Sequence, residues 1–126
     1  LVSLSGAQFI FYPTAIGYHV SDSIEVSRQI AAWEIIQKSH AIANGIFLAS
    51  VNRVGKEDNL TFWGRSFVCD PFGEIILQAG GSISENLVVE CDLQKIEQTR
   101  QDWPFLRDRR VDAYQKLAQI YHDPNI

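Results

Sequence analysis

The chain has no methionine, and its 126 residues include only two cysteines, Cys69 and Cys91. Two distant thiols without close pairing exclude a disulfide scaffold and supply no metal-ligand spacing. Both fall in strand-like stretches and read as buried thiols of a reducing compartment, which points to the cytoplasm. Excess positive charge is also lacking. A formal net charge of −4 argues against a nucleic-acid-binding surface. The densest basic run, Arg107-Asp108-Arg109-Arg110, is interrupted by an acid. No apolar stretch approaches the roughly 18 residues of a membrane span, so no membrane partner is expected. A glycine-rich phosphate cradle and a G-x-S-x-G elbow are both missing. These absences remove a nucleotide cofactor and an α/β-hydrolase serine nucleophile from consideration.

What remains is ordinary globular material. Hydrophobic residues make up 46% and charged residues 21% of the chain, enough for one domain with a core. The opening LVSLSGAQFIFYP has no basic n-region and runs straight into strand-like sequence, so no signal peptide is expected. With no initiator methionine, the chain is expected to begin inside a longer polypeptide.

Gln8–Tyr12 is aromatic and β-branched and reads as a buried strand ended by Pro13. Thr14–Ser21 reads as a loop. Asp22 with Glu25 forms a candidate capping box for a long helix to about Asn44, stopped by Gly45. That helix carries Ile30, Trp33, Ile35, Ile36 and Ile42 around much of its circumference, the pattern of a helix covered on more than one side. Ile46–Val51 is the next strand, closed by a turn at Asn52-Arg53-Val54-Gly55, and Lys56–Asn59 is a polar connector. Phe62–Leu77 reads as a hairpin. Its centre, Asp70-Pro71-Phe72-Gly73, has the residue order of a type I turn. Ala79-Gly80-Gly81 breaks the pattern, Leu87–Cys91 supplies another strand, and Asp92 caps a short helix to Thr99. Pro104 ends helical structure until a short stretch around Asp112–Tyr121. Strand–helix–strand at the start implies a parallel pair with a right-handed crossover, and the later hairpin adds antiparallel strands. The result is a mixed sheet in an α/β layered fold.

The ordered set YPTAIG (Tyr12–Gly17), HAIANG, FLASVNRVG, FWGRSFVCDPFGE (Phe62–Glu74), VVECDL and WPFLRDRR resembles the nitrilase, or carbon–nitrogen hydrolase, superfamily. Within it the nearest branch is that of the N-carbamoylputrescine amidases and related β-ureidopropionase-like enzymes. The resemblance runs from Leu1 to about Tyr121. It implies that residues 1–126 form the C-terminal half of a nitrilase-like four-layer α-β-β-α sandwich. It also implies hydrolysis of a small linear amide or carbamoyl compound by a Cys nucleophile, with a Glu general base and a Lys at the oxyanion. Those three residues would precede Leu1, so the chain alone is expected to be inactive and no catalytic residue is assigned within it. Cys69 sits mid-hairpin and Cys91 in a strand, and neither takes the nucleophile's place.

The resemblance assigns a substrate-binding role to Thr14, Ala15, Ile16 and Gly17, where a strand runs out into a loop; the alternative is a plain connecting loop in which Gly17 serves only the turn. His19, in the same candidate pocket stretch, is a further substrate-binding candidate. Asn52, at a strand end, serves either a ligand or its own turn. In the same branch an acidic residue often follows the YPTAIG motif, whereas here Tyr18-His19-Val20 follow. His40 on the long helix is a packed or partner-bonded histidine, and Trp33 and Trp63 are core or interface aromatics. The resemblance further implies a homo-oligomer, a dimer or larger, joined through the long helix and the Arg107–Arg110 segment, where Arg suits bidentate pairing. The other class of reading is a non-catalytic module that keeps this half-fold for association or ligand binding.

Overall fold

The computed structural model describes residues 1–114 and Leu117. Strands β1 (Phe9–Thr14), β3 (Phe47–Asn52), β6 (Phe67–Cys69) and β7 (Ile75–Gln78) form one mixed sheet, ordered β1-β3-β6-β7. β1 and β3 are parallel, while β3–β6 and β6–β7 are antiparallel. A second, antiparallel sheet has the order β2-β5-β4, from Gly17–His19, Leu60–Trp63 and Val54–Glu57. Helix α1 (Val26–Asn44) links β1 to β3, and α2 (Gln94–Asp102) follows the strands. The expected α/β fold with a mixed sheet is therefore present.

β3 is central in its sheet and is buried along nearly its whole length. On the α1 side, Trp33 and Ala41 meet Leu48, Phe67, Cys69 and Trp63 in the core. Trp33 lies edge-on to Phe67, with ring centroids 5.6 Å apart, and to Trp63 at 6.0 Å. Gly45 stops α1 in the left-handed conformation, φ 55°, with its N–H bonded to the last-turn carbonyls. His40, expected to be partner-bonded, has its Nδ1 3.1 Å from the Tyr12 hydroxyl.

Several sequence expectations are corrected. Pro13 does not end β1. The Gln8 and Thr14 carbonyls accept from Phe47 and Arg53 N–H, so even-numbered residues address β3 and Pro13 points its nitrogen away from the ladder. An edge strand tolerates proline in that position. β1 is also only partly buried, because Phe11 faces outward at 65% exposure.

The Thr14–Ser21 loop contains strand β2. Asn52–Gly55 and the polar connector Lys56–Asn59 instead form most of the β4–β5 hairpin, turning at Asp58 with φ 50°. β4 is largely exposed, so it lacks the apolar alternation that would have revealed it. The stretch read as one hairpin from Phe62 divides between sheets, leaving Phe67–Gln78 as the hairpin proper. Its turn is as expected, with Gly73 N–H bonded to the Asp70 carbonyl at 2.8 Å.

α1 starts at Val26 after a 3₁₀ turn over Val20–Glu25, and Glu25 makes no side-chain capping bond. The side chain of Asp22 lies outside the described residues. Leu87–Cys91 forms no strand, because no ladder partner stands beside it among the described residues. Val88 there is 92% exposed, and Cys91 is only partly buried. α2 is offset towards the C-terminus from Asp92–Thr99. Asp92 still supports its start by accepting from Gln94 N–H at 3.0 Å. The helical stretch expected over Asp112–Tyr121 lies mostly outside the described residues.

Candidate functional site

β1 and β3 run in parallel, and two antiparallel steps return β7 to the same direction. Their C-terminal ends, Thr14, Asn52 and Gln78, therefore lie along one edge of the sheet, the edge where open α/β sheets place ligands.

Asn52 organises this edge. It is 7% exposed, and every polar valence of its carboxamide is used within the protein. Oδ1 accepts from Ile16 N–H at 2.9 Å and from the Thr14 hydroxyl at 3.1 Å. Nδ2 donates to the Ile16 carbonyl at 3.0 Å and to the Gly64 carbonyl at 3.1 Å. The two bonds to Ile16 pin the backbone after β1 as a strand partner would, holding the Thr14–Gly17 loop at fixed height. The Thr14 hydroxyl also lies 3.1 Å from the Val51 carbonyl.

Behind Asn52 runs the strap Gly64-Arg65-Ser66, which carries the chain from β5 to β6. The Ser66 hydroxyl accepts from Asn52 N–H at 2.9 Å and donates to the Asn52 carbonyl at 3.2 Å. Arg65 adopts a left-handed φ of 57°, which is unfavourable for a side-chain-bearing residue. Its guanidinium is held by Glu34 of α1, whose Oε1 accepts from Arg65 Nε at 3.0 Å and Nη2 at 2.8 Å. Gln78 Nε2 adds a third bond to that oxygen at 2.9 Å. Helix, strap and loop are thus mechanically connected.

The structure brings Thr14, Ile16 and Asn52 into direct contact, with Ala15 exposed between the first two. Gly17 opens β2 and lies against the β5 backbone. His19 is not part of this group. It sits opposite Leu60 on β2, exposed, with Nδ1 3.0 Å from the Ser21 hydroxyl. Asn52 has its carboxamide filled by protein partners, so its direct part is to hold the loop. Gly64 and Ser66 lie within the Phe62–Glu74 motif, but the contact of Ser66 with Asn52 could not be seen from the sequence. Sequence reasoning missed Glu34, whose partners are 31 and 44 residues away and leave no local signal.

Beside Asn52 opens a cleft of about 410 Å³. Val51, Val54, Ala79 and Ile83 give it apolar walls, and Arg53, Ser66, Ser84 and Glu85 add polar groups. The Arg53 guanidinium pairs with Glu57 and lies 4.3 Å above the Phe62 ring. No group of three metal-ligating side chains occurs among the described residues, and no helix among them is long and apolar enough to cross a membrane.

Neither thiol is activated. Cys69 is fully buried, and loss of hydration, reinforced by neighbouring Asp70, pushes its pKa up to about 11 against a smaller opposing pull from Lys38. Burial likewise raises that of Cys91. At pH 8 a thiol with the Cys69 value is ionised in about one molecule in a thousand, and it is the thiolate that attacks. Cys69 is therefore expected to resist iodoacetamide in the native protein at pH 8 and to label fully in urea. Peptide mapping checks this, and rapid native labelling would contradict the assignment.

Residues 1–101 match the family model described as carbon-nitrogen hydrolase. An N-carbamoylputrescine amidase from Oryza sativa subsp. japonica is 40% identical over 125 residues, covering 93% of this chain and 41% of that protein. The crystal structure of a carbon-nitrogen hydrolase from Helicobacter pylori G27 superposes with a TM-score of 0.91 at 44% identity, over 95% of this chain and 44% of that one. A mutant amidase from Nesterenkonia sp. AN1, with the acetamide moiety of fluoroacetamide added at its active-site cysteine, gives a TM-score of 0.65 at 29% identity. That match covers 90% of this chain and 36% of the amidase. The chain spans less than half the length of each.

Proposed function

The chain belongs to the carbon–nitrogen hydrolase family, and from that premise we propose that it is the C-terminal part of an amidohydrolase acting through a cysteine nucleophile. Its substrate is a linear amide or N-carbamoyl amine, either N-carbamoylputrescine-like or N-carbamoyl-β-alanine-like. The observation that carries the reading is the Thr14–Gly17 segment, pinned by Asn52 at the C-terminal edge of parallel strands. Such a rigid loop beside a cleft positions substrate; it does not attack it.

The nucleophile, general base and oxyanion cation come from the polypeptide ahead of Leu1. Their chemistry is addition of a thiolate to the carbonyl carbon, departure of the protonated amine, and hydrolysis by water of the resulting thioester or, for a carbamoyl substrate, thiocarbamate. The unactivated state of Cys69 and Cys91 supports placing the nucleophile elsewhere. Free thiols also accord with a cytoplasmic enzyme.

The sheet face opposite α1 leaves Phe11 and Val51 65% and 50% exposed, a surface suited to a second sheet in a four-layer sandwich. On α1, Ile35 and Ile36 are 65% and 53% exposed, which favours association of like subunits through this helix. Arg107 and Arg110 engage the adjacent Asp108 and Asp112 in exposed pairs, and these add little energy by themselves.

The test is covalent. Full-length protein treated with fluoroacetamide is expected to carry one acetamide adduct, mapping to a cysteine outside residues 1–126. An adduct on Cys69 or Cys91, or none anywhere, would favour the non-catalytic module instead.

A further inference from the structure

The cleft beside Asn52 contains one acid, Glu85, whose charge no lysine or arginine among the described residues answers. Glu85 Oε1 accepts from Gly80 N–H at 2.9 Å, and this is the only bond its carboxylate makes among the described residues. No lysine or arginine among them pairs with it, because Arg53, the cation sharing the cleft, is taken by Glu57, and Arg65 by Glu34. Closing the six-residue loop from Gly80 to Glu85 needs only an acceptor oxygen, which a neutral amide provides equally well. Among the described residues the fold does not use the negative charge.

Its setting gives that charge a use. The loop leaves the C-terminal end of β7, so Glu85 lies on the same sheet edge as Thr14 and Asn52. Val54, Ala79 and Ile83 give the same cleft apolar lining. A carboxylate in an apolar-walled cleft is matched by a protonated amine on a short aliphatic chain, which satisfies the charge and covers the walls.

The geometry points to Glu85 as the ammonium-binding residue of the site, selecting linear substrates whose end remote from the scissile bond is a primary amine. This rests on the proposed hydrolase reading and deepens it, because it chooses the cationic substrate over the carboxylate-bearing one.

Glu85→Gln keeps the acceptor for Gly80 and removes only the charge. In the full-length protein it is expected to raise KM for N-carbamoylputrescine by on the order of tenfold or more, the usual worth of a charge-assisted bond. The KM for uncharged N-butylurea, which has the same chain without the ammonium, is expected to stay within about twofold, and kcat for both to hold. Equal effects on the two substrates, or none on either, would overturn the assignment while leaving the hydrolase reading intact.

A second measurement needs no turnover. Calorimetric binding of 1,4-diaminobutane to the full-length protein is expected to weaken by a similar factor in Glu85→Gln and with added salt. Unchanged binding in the variant, or no binding by the parent protein, would refute the ammonium site. A protein that binds the diamine through Glu85 yet hydrolyses neither urea would instead remove the hydrolase reading and leave the site standing.

Discussion

Asn52→Ala is expected to cost the protein about 3 kcal/mol or more and to release the loop after β1. The substitution deletes a buried carboxamide that accepts from Ile16 N–H and the Thr14 hydroxyl and donates to the Ile16 and Gly64 carbonyls. Each buried group left without its partner costs roughly 1–3 kcal/mol, and water can reach only some of them at a residue 7% exposed. Asn52→Asp separates shape from donor chemistry. It keeps the acceptor that Ile16 N–H and Thr14 use, but turns a second acceptor towards two carbonyls, so its cost should approach that of alanine. Urea denaturation of the full-length variants measures both. A loss below about 1 kcal/mol for either would show that the Asn52 bonds are incidental. Hydrogen exchange adds the local readout, with Ile16 N–H exchanging much faster in both variants.

Gly17→Ala should be as damaging, for a different reason. A Cβ at Gly17 would stand 2.3 Å from the Thr61 carbonyl oxygen and 2.8 Å from its carbon, atoms of the β5 backbone. Backbone within a ladder cannot yield as a side-chain tip does, so β2 must leave β5 or Thr61 must shift. Gly55→Ala is the useful comparison, because its Cβ would meet nothing within 4 Å and the only penalty is a φ of 95°. That penalty is on the order of 1 kcal/mol. Gly17→Ala is expected to exceed it by 2 kcal/mol or more, in line with the costs of overpacking. Since β2 carries the far end of the Thr14–Gly17 loop, Gly17→Ala should also raise KM, whereas Gly55→Ala should not. Comparable midpoints for the two variants would mean that β2 is loosely held and does not fix the loop.

What could be read from the sequence follows from how locally each feature is encoded. α1 with its Gly45 stop, central β3 and the Asp70–Gly73 turn depend on propensities and apolar patterns within a few residues, and all three are present in the structure. β4 depends on pairing with β5 while exposed to water, so Lys56 and Glu57 disguised it as a connector. Pro13 looked like a strand end because only the ladder parity shows which way its nitrogen points. Leu87–Cys91 has a strand's composition but no partner among the described residues, and composition alone does not make a ladder.

The site divides in the same way. Thr14–Gly17 and Asn52 were marked by motif, but the bonds between them cross 36 residues or more. Glu34 and Glu85 matter through position alone. One is set by α1 packing over the strap, and the other by where β7 releases the chain. His19 shows the converse, since proximity in sequence to the loop did not bring it to the Asn52 cluster.

If this chain supplies the substrate-positioning part of a carbon–nitrogen hydrolase whose nucleophile lies elsewhere in the polypeptide, activity must require both parts. The direct measurement is ammonia release from N-carbamoylputrescine, N-carbamoyl-β-alanine and a simple linear amide, made in parallel on the full-length protein and on residues 1–126 alone. Turnover of at least one substrate is expected from the full-length protein, with no release above buffer from residues 1–126. Turnover by the isolated chain, or no turnover of any of the three by the full-length protein, would contradict this reading.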